Sequence, residues 1–182
     1  MNWPNRLSLM RIGSVPVITL LLSLKDATWA YYVALFVFIA AAITDFVDGH
    51  IARKYNLVTN FGKFIDPVAD KLLVLSAMVM LSWHTLVPAW IVVAVLFREL
   101  AVDGLRLVAV EQGRVIAAGR LGKIKTICQI AMIITHLVSY AQFPLLHIPA
   151  GWLMIPTQIA VLVMTVWSGA DYFLRNKEVL HG

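Results

Sequence analysis

The apolar run from Trp29 to Thr44 passes without a stop into Asp45, and Asp48 follows three residues later. A second carboxylate pair, Asp66 and Asp70, opens another apolar run that reaches about Leu81. Runs of this kind read as helical membrane segments, in which each backbone N–H and C=O is satisfied within the segment. Charge at the margin of such a helix is costly and by default marks function. On a helix, spacings of three and four bring side chains to one face, so Asp45 goes with Asp48 and Asp66 with Asp70. Two such helices facing each other gather four negative charges into one pocket. Repulsion and desolvation both oppose four ionised carboxylates, and divalent cations relieve both. An all-oxygen donor set favours Mg2+ or Mn2+ over zinc, which prefers His and Cys.

Composition supports the membrane reading. The 182 residues are 60% hydrophobic and only 14% charged, whereas a soluble domain is about half apolar and about a quarter charged. The expected fold is an all-α integral membrane protein forming a single domain over residues 1–182. The lone cysteine, Cys128, excludes an intrachain disulfide and a multi-cysteine zinc site. The net charge of +5 is dispersed around apolar spans rather than collected in a soluble basic domain. Anionic headgroups and phosphorylated substrates are therefore the expected partners, and nucleic acid is not.

In chain order, Met1–Arg11 reads as a short amphipathic interfacial segment, with Trp3 and Arg6 suited to the membrane surface. Ile12–Leu24 is the first span; no small-x-small cleavage site follows it, so it is expected to be retained rather than removed as a signal peptide. Trp29–Thr44 is the second, and a third helix begins near Asp66 with Pro67 in its first turn. The fourth starts near Pro88 and acquires Arg98, Glu99, Asp103 and Arg106 at helical spacing. A basic loop, Gln112–Lys125, precedes a fifth span from about Ile124 to Tyr140, and Trp152–Trp167 is the sixth. Every Lys and Arg except Lys25 falls at the termini or at the second-to-third and fourth-to-fifth connections. The positive-inside rule then puts both termini and the aspartates on the cytoplasmic side, as in a bacterial inner-membrane protein.

The pattern D-x2-D-G-x2-A-R-x8-G-x3-D-x3-D is matched at Asp45, Asp48, Gly49, Ala52, Arg53, Gly62, Asp66 and Asp70. It resembles the signature of the CDP-alcohol phosphatidyltransferases, membrane enzymes that move a phosphatidyl group from a CDP-linked lipid to an alcohol. The resemblance implies CDP-diacylglycerol as donor, CMP as leaving group, and two Mg2+ or Mn2+ ions held by Asp45, Asp48 and Asp66. It makes Asp70 the general base, with metal contact left open as a further role. Gly49 and Ala52 would let the nucleotide approach the helix backbone, with close helix packing as the alternative, and Arg53 would pair with a phosphate or an aspartate. The segment P-N-R-L-S-L-M-R resembles the family's entry sequence P-N-x-L-T-x-x-R, which brings Asn5, with Gly62, to the donor site; Ser8 stands where Thr is usual. Members of the family commonly form homodimers, and one is expected here.

Arg98–Arg106 and Val115–Thr126 resemble the glycerol-phosphate branch of that family, Asp103 being a departure. The implied acceptor is glycerol 3-phosphate, a dianion that Arg106, Arg120, Lys123 and Lys125 could hold through bidentate and point-charge contacts. These cations serve positive-inside topology on the plainer reading, which Arg114 fits best; Arg98 and Glu99 read as a mutual ion pair at the membrane edge. Inositol phosphate or serine is the alternative acceptor. A divalent-cation transporter is the rival class, but it predicts polar residues continuing through the spans. His84 and His147 read as turn residues on the far side, and His136 as a packed or hydrogen-bonded imidazole.

Overall fold

The computed structural model describes residues 3–24, 27–54, 60–117, 119–141 and 150–179; the side chains at 3–5, 45–54, 60–61, 63–64 and 150–151 lie outside the description. Within these limits the chain forms six α-helices: α1 (Trp3–Ser23), α2 (Thr28–Lys54), α3 (Asn60–Trp83), α4 (Ala89–Glu111), α5 (Arg120–Tyr140) and α6 (Ala150–Arg175). A 3-10 turn, Lys177–Val179, follows.

Among the described residues, three helices are both long and apolar enough to cross a membrane: Arg6–Ser23, Arg120–Tyr140 and Trp152–Arg175. Thr28–Thr44 is a shorter apolar stretch. The outer surface matches a lipid solvent rather than water, since large apolar side chains such as Leu20, Phe36 and Phe97 stand exposed, Phe97 at 74%. The inner faces meet in a core of Ile18 and Leu22 from α1, Phe38 from α2, Leu73 and Met78 from α3, Val95 from α4, Met132 and Leu137 from α5, and Val161 from α6. A smaller cluster joins Val102, Leu105 and Ala109 of α4 to Tyr172 and Val179.

Several expectations are corrected at helix ends. The N-terminal segment is not a separate interfacial piece: α1 runs unbroken from Trp3, and Ser8 and Arg11 are buried against the bundle at 1% and 2% exposure. Helix α3 begins at Asn60, so Pro67 lies in its interior rather than its first turn. The N–H that proline lacks costs one backbone bond there, which membrane helices tolerate when neighbours re-satisfy the freed carbonyl. The basic connection is shorter than expected because α5 starts at Arg120, and α6 continues past Trp167 to Arg175.

Helices α3 and α4 each stop in a left-handed residue. Thr85 takes φ 61° and Gly113 φ 72°, and in each case the next N–H closes back on the helix, Leu86 to Leu81 at 3.0 Å and Arg114 to Ala109 at 2.8 Å. This is the Schellman arrangement, in which glycine costs least and threonine is strained. At the Thr85 end, polar groups are paired internally. The His84 ring donates through Nε2 to the Leu22 carbonyl at 2.6 Å and packs against Tyr31 and Tyr140. His136 donates through Nδ1 to Met132 at 2.7 Å, and Gln158 spans from His136 to the Leu86 carbonyl. Both imidazoles are structural, as the sequence suggested for His136.

Candidate active site

The alternating direction of the helices brings the start of α3, the end of α4, the start of α5 and the end of α6 to one end of the bundle. A cavity of about 520 Å3 opens there. Its polar walls come from single helix faces: Asp66 and Asp70 on α3, Glu99, Asp103 and Arg106 on α4, Gly122, Lys125 and Thr126 on α5, and Ser168, Asp171 and Tyr172 on α6. Each set recurs at spacings of three or four, the periodicity that keeps side chains on one face. Lys71, Arg98 and Lys123 complete the charged lining.

Glu99 is the hub of the buried charge. It is 7% exposed, accepts a hydrogen bond from the Lys125 ammonium, and lies 3.1 Å from Arg98 Nη1. Lys71 stands 3.9 Å from its other oxygen while donating to Asp103. Ions taken out of water need partners of this quality to offset their desolvation. Arg106 is held differently, through Nε–H to the Tyr172 hydroxyl at 3.0 Å and with its guanidinium 5.5 Å from the Tyr172 ring centre. Lys123 is exposed and forms no ion pair among the described residues. From α1, the buried Ser8 hydroxyl donates to Asp66, so the first helix reaches the motif directly.

Of the residues singled out in the sequence, Asp66, Asp70, Arg106, Lys123 and Lys125 share this cavity. Lys125 enters it as the buried partner of Glu99, with its ammonium already engaged. Arg120, the first residue of α5, is exposed and outside the lining. Gly62 is buried one turn before Asp66. Asp45, Asp48, Gly49, Ala52 and Arg53 lie on the α2 helix, which the backbone confirms as one continuous element; their side chains, and that of Asn5, are outside the described residues. The expected Arg98–Glu99 pair is present, but inside the cavity wall. Sequence reasoning missed Lys71, Thr126 and the α6 face of Ser168, Asp171 and Tyr172. The last could have been found from polar residues spaced three and four apart at the end of an apolar helix.

Fold and site together define an integral membrane protein of packed helices with a charged chamber at one end. The profile of the CDP-alcohol phosphatidyltransferase family matches residues 1–167. The chain is 43% identical to the CDP-diacylglycerol–glycerol-3-phosphate 3-phosphatidyltransferase of Bacillus subtilis, across 98% of this chain and 97% of that one. It is 41% identical to a probable phosphatidylglycerophosphate synthase of Mycobacterium tuberculosis, over 96% of this chain and 81% of the relative. Against the Escherichia coli K12 CDP-diacylglycerol–glycerol-3-phosphate 3-phosphatidyltransferase the identity is 35%, over 94% and 92%. The chain belongs to the CDP-alcohol phosphatidyltransferase family.

Proposed function

We propose that this protein transfers the phosphatidyl group of CDP-diacylglycerol to glycerol 3-phosphate, giving phosphatidylglycerophosphate and CMP. The observation that carries this is the meeting, in one cavity, of the motif carboxylates Asp66 and Asp70 with Arg106 and Lys123. The named activities of the relatives from Bacillus subtilis and Escherichia coli point the same way. The acceptor hydroxyl oxygen forms a bond to the phosphatidyl phosphorus as the phosphoanhydride bond to CMP breaks. Asp70 takes the hydroxyl proton, and the electron pair of the broken bond leaves with CMP. Arg106 and Lys123 hold the acceptor phosphate, Lys125 adds positive potential from behind, and Arg120 adds charge at the rim. Asn5, Gly49, Ala52, Arg53 and Gly62 are the donor-side residues.

The donor set fits a hard divalent cation. Asp66 and Asp70 offer only oxygen ligands from one helix face, and neither His nor Cys lines the cavity among the described residues. With Asp45 and Asp48 they would hold two Mg2+ or Mn2+ ions. Those ions would neutralise charge on the donor pyrophosphate and the departing CMP. Ser8, through its hydroxyl on Asp66, fixes the orientation of that carboxylate. Ser8→Ala is expected to lower turnover by about tenfold and raise the metal concentration needed, while Ser8→Thr keeps the hydroxyl and most of the rate. A metal titration of all three proteins checks this, and an unchanged metal requirement in Ser8→Ala would overturn it.

In the membrane we read six spans as one domain, with the cavity end and both termini cytoplasmic. Arg106, Arg114, Arg120 and Lys123 gather at that end, as the positive-inside rule requires. Two copies are expected to associate, as in the family. The deciding experiment is CMP release by the purified protein in detergent from CDP-diacylglycerol with Mg2+, offering glycerol 3-phosphate, inositol phosphate and serine separately. Release only with glycerol 3-phosphate, abolished by EDTA and restored by excess Mg2+ or Mn2+, is the expected result. Release with serine alone would keep the chemistry and overturn the acceptor. No metal-dependent release with any acceptor, from folded protein, would favour ion transport.

A further inference from the structure

Arg98 is seated in a slot built for an arginine. A Cβ added at Gly169 of α6 would lie 3.3 Å from Arg98 Cγ, and one at Gly122 of α5 would lie 3.6 Å from Nη2. The two helices thus present bare backbone where the stem and the far side of the guanidinium pass. The side chain is 11% exposed and lines the cavity. Nη1 is engaged by Glu99, while Nε is buried with no hydrogen-bond partner. A buried donor of this kind is costly to leave unmade.

Its carboxylate partner is shared. Lys71 is answered by Asp103, which leaves the single carboxylate of Glu99 to serve both Arg98 and Lys125. Arg98 therefore shares its counterion with Lys125, and an anion with several acceptor oxygens in the cavity would give its guanidinium a second partner. Two phosphate sources are available, the donor pyrophosphate and the acceptor phosphomonoester. The motif that faces the donor lies on α2 and α3, whereas Arg98 shares α4 with Arg106 and abuts Gly122, the neighbour of Lys123. We propose that Arg98 binds the phosphate of the acceptor beside Arg106 and Lys123, with Glu99 and Gly169 as the residues that position it. The proposal rests on the reading of glycerol 3-phosphate as the acceptor.

The test is steady-state kinetics with each substrate varied in turn, for the unsubstituted protein, Arg98→Gln, Arg98→Lys and Gly169→Ala, each confirmed folded by its elution in detergent and its unfolding temperature. Arg98→Gln is expected to raise the KM for glycerol 3-phosphate by about 10- to 100-fold. Arg98→Lys, which keeps the charge but loses the planar fork, falls between, and Gly169→Ala shifts the same constant in the same direction by displacing the stem. The KM for CDP-diacylglycerol stays within about twofold throughout. A rise confined to CDP-diacylglycerol assigns Arg98 to the donor and overturns the proposal; unchanged constants in the folded variants reduce Arg98 to packing and overturn it too. Should Arg98→Gln fail to fold, Arg98→Lys and Gly169→Ala decide by the same criterion. Absence of turnover by the unsubstituted protein with glycerol 3-phosphate is a separate result, which removes the reading of the reaction and this proposal with it.

Discussion

Asp70→Asn is expected to slow CMP release by about a thousandfold, within the range a positioned general base contributes. The substitution conserves shape and hydrogen-bonding capacity but removes the ability to accept the hydroxyl proton. Asp70 lies on the cavity wall, one helical turn beyond Asp66 and on the same face, so the change leaves the neighbouring carboxylate and the Ser8 hydrogen bond in place. Asp66→Asn is the informative companion. Loss of a ligand should shift the Mg2+ concentration for half-maximal rate, whereas loss of a base should lower the maximal rate at saturating metal. Rates for both variants across a metal titration separate the roles. A rate for Asp70→Asn within a few-fold of the unsubstituted protein, at any metal concentration, would end its assignment as the base.

Glu99→Gln is expected to destabilise the protein by about 3–5 kcal/mol, because it leaves buried cations without their shared counterion. Lys125 and Arg98 both direct nitrogen atoms at Glu99 Oε1, and the amide cannot replace the charge that holds them together. Lys125→Met is expected to cost clearly less, since Glu99 keeps Arg98 at 3.1 Å and the methionine fills much of the lysine's volume. The asymmetry is the test. Unfolding temperatures in detergent should rank the unsubstituted protein above Lys125→Met, and Lys125→Met above Glu99→Gln. The double variant should recover part of the Glu99→Gln loss, because one of the two stranded cations has gone. Equal losses in the two single variants would show that Glu99 and Lys125 act as an isolated pair, with Arg98 contributing nothing.

Much of this was readable in the sequence, for a physical reason. In hydrocarbon, carboxylates and arginines are rare enough that their spacing carries information; periodicity pointed to a cation-binding cluster between Asp45 and Asp70, and the transfer chemistry came from the motif's resemblance to a family signature. The boundaries were less legible. Pro67 resembled a helix start because its missing N–H is harmless there, yet α3 begins seven residues earlier at Asn60; local rules do not record that neighbouring helices support an interior proline. The N-terminal segment looked interfacial because Trp3 and Arg6 suit a membrane surface. What decided its structure was the burial of Ser8 and Arg11 against other helices, a tertiary fact. Lys125 was recognised as a cation near the site, but its pairing with Glu99 joins residues 26 positions apart and no local pattern encodes it. The glycines at 122 and 169 carried no signal of their own until Arg98 was seen to lie across them.

The chamber takes its walls from α3, α4, α5 and α6, with α1 touching Asp66 from behind. A chain made from its N-terminus therefore supplies the α3 wall with its aspartates first and the α6 wall last. Until α6 docks, the chamber lacks Ser168 and Asp171, and Arg106 has no Tyr172 to steady it. Closure of the chamber thereby waits on the last of its four walls.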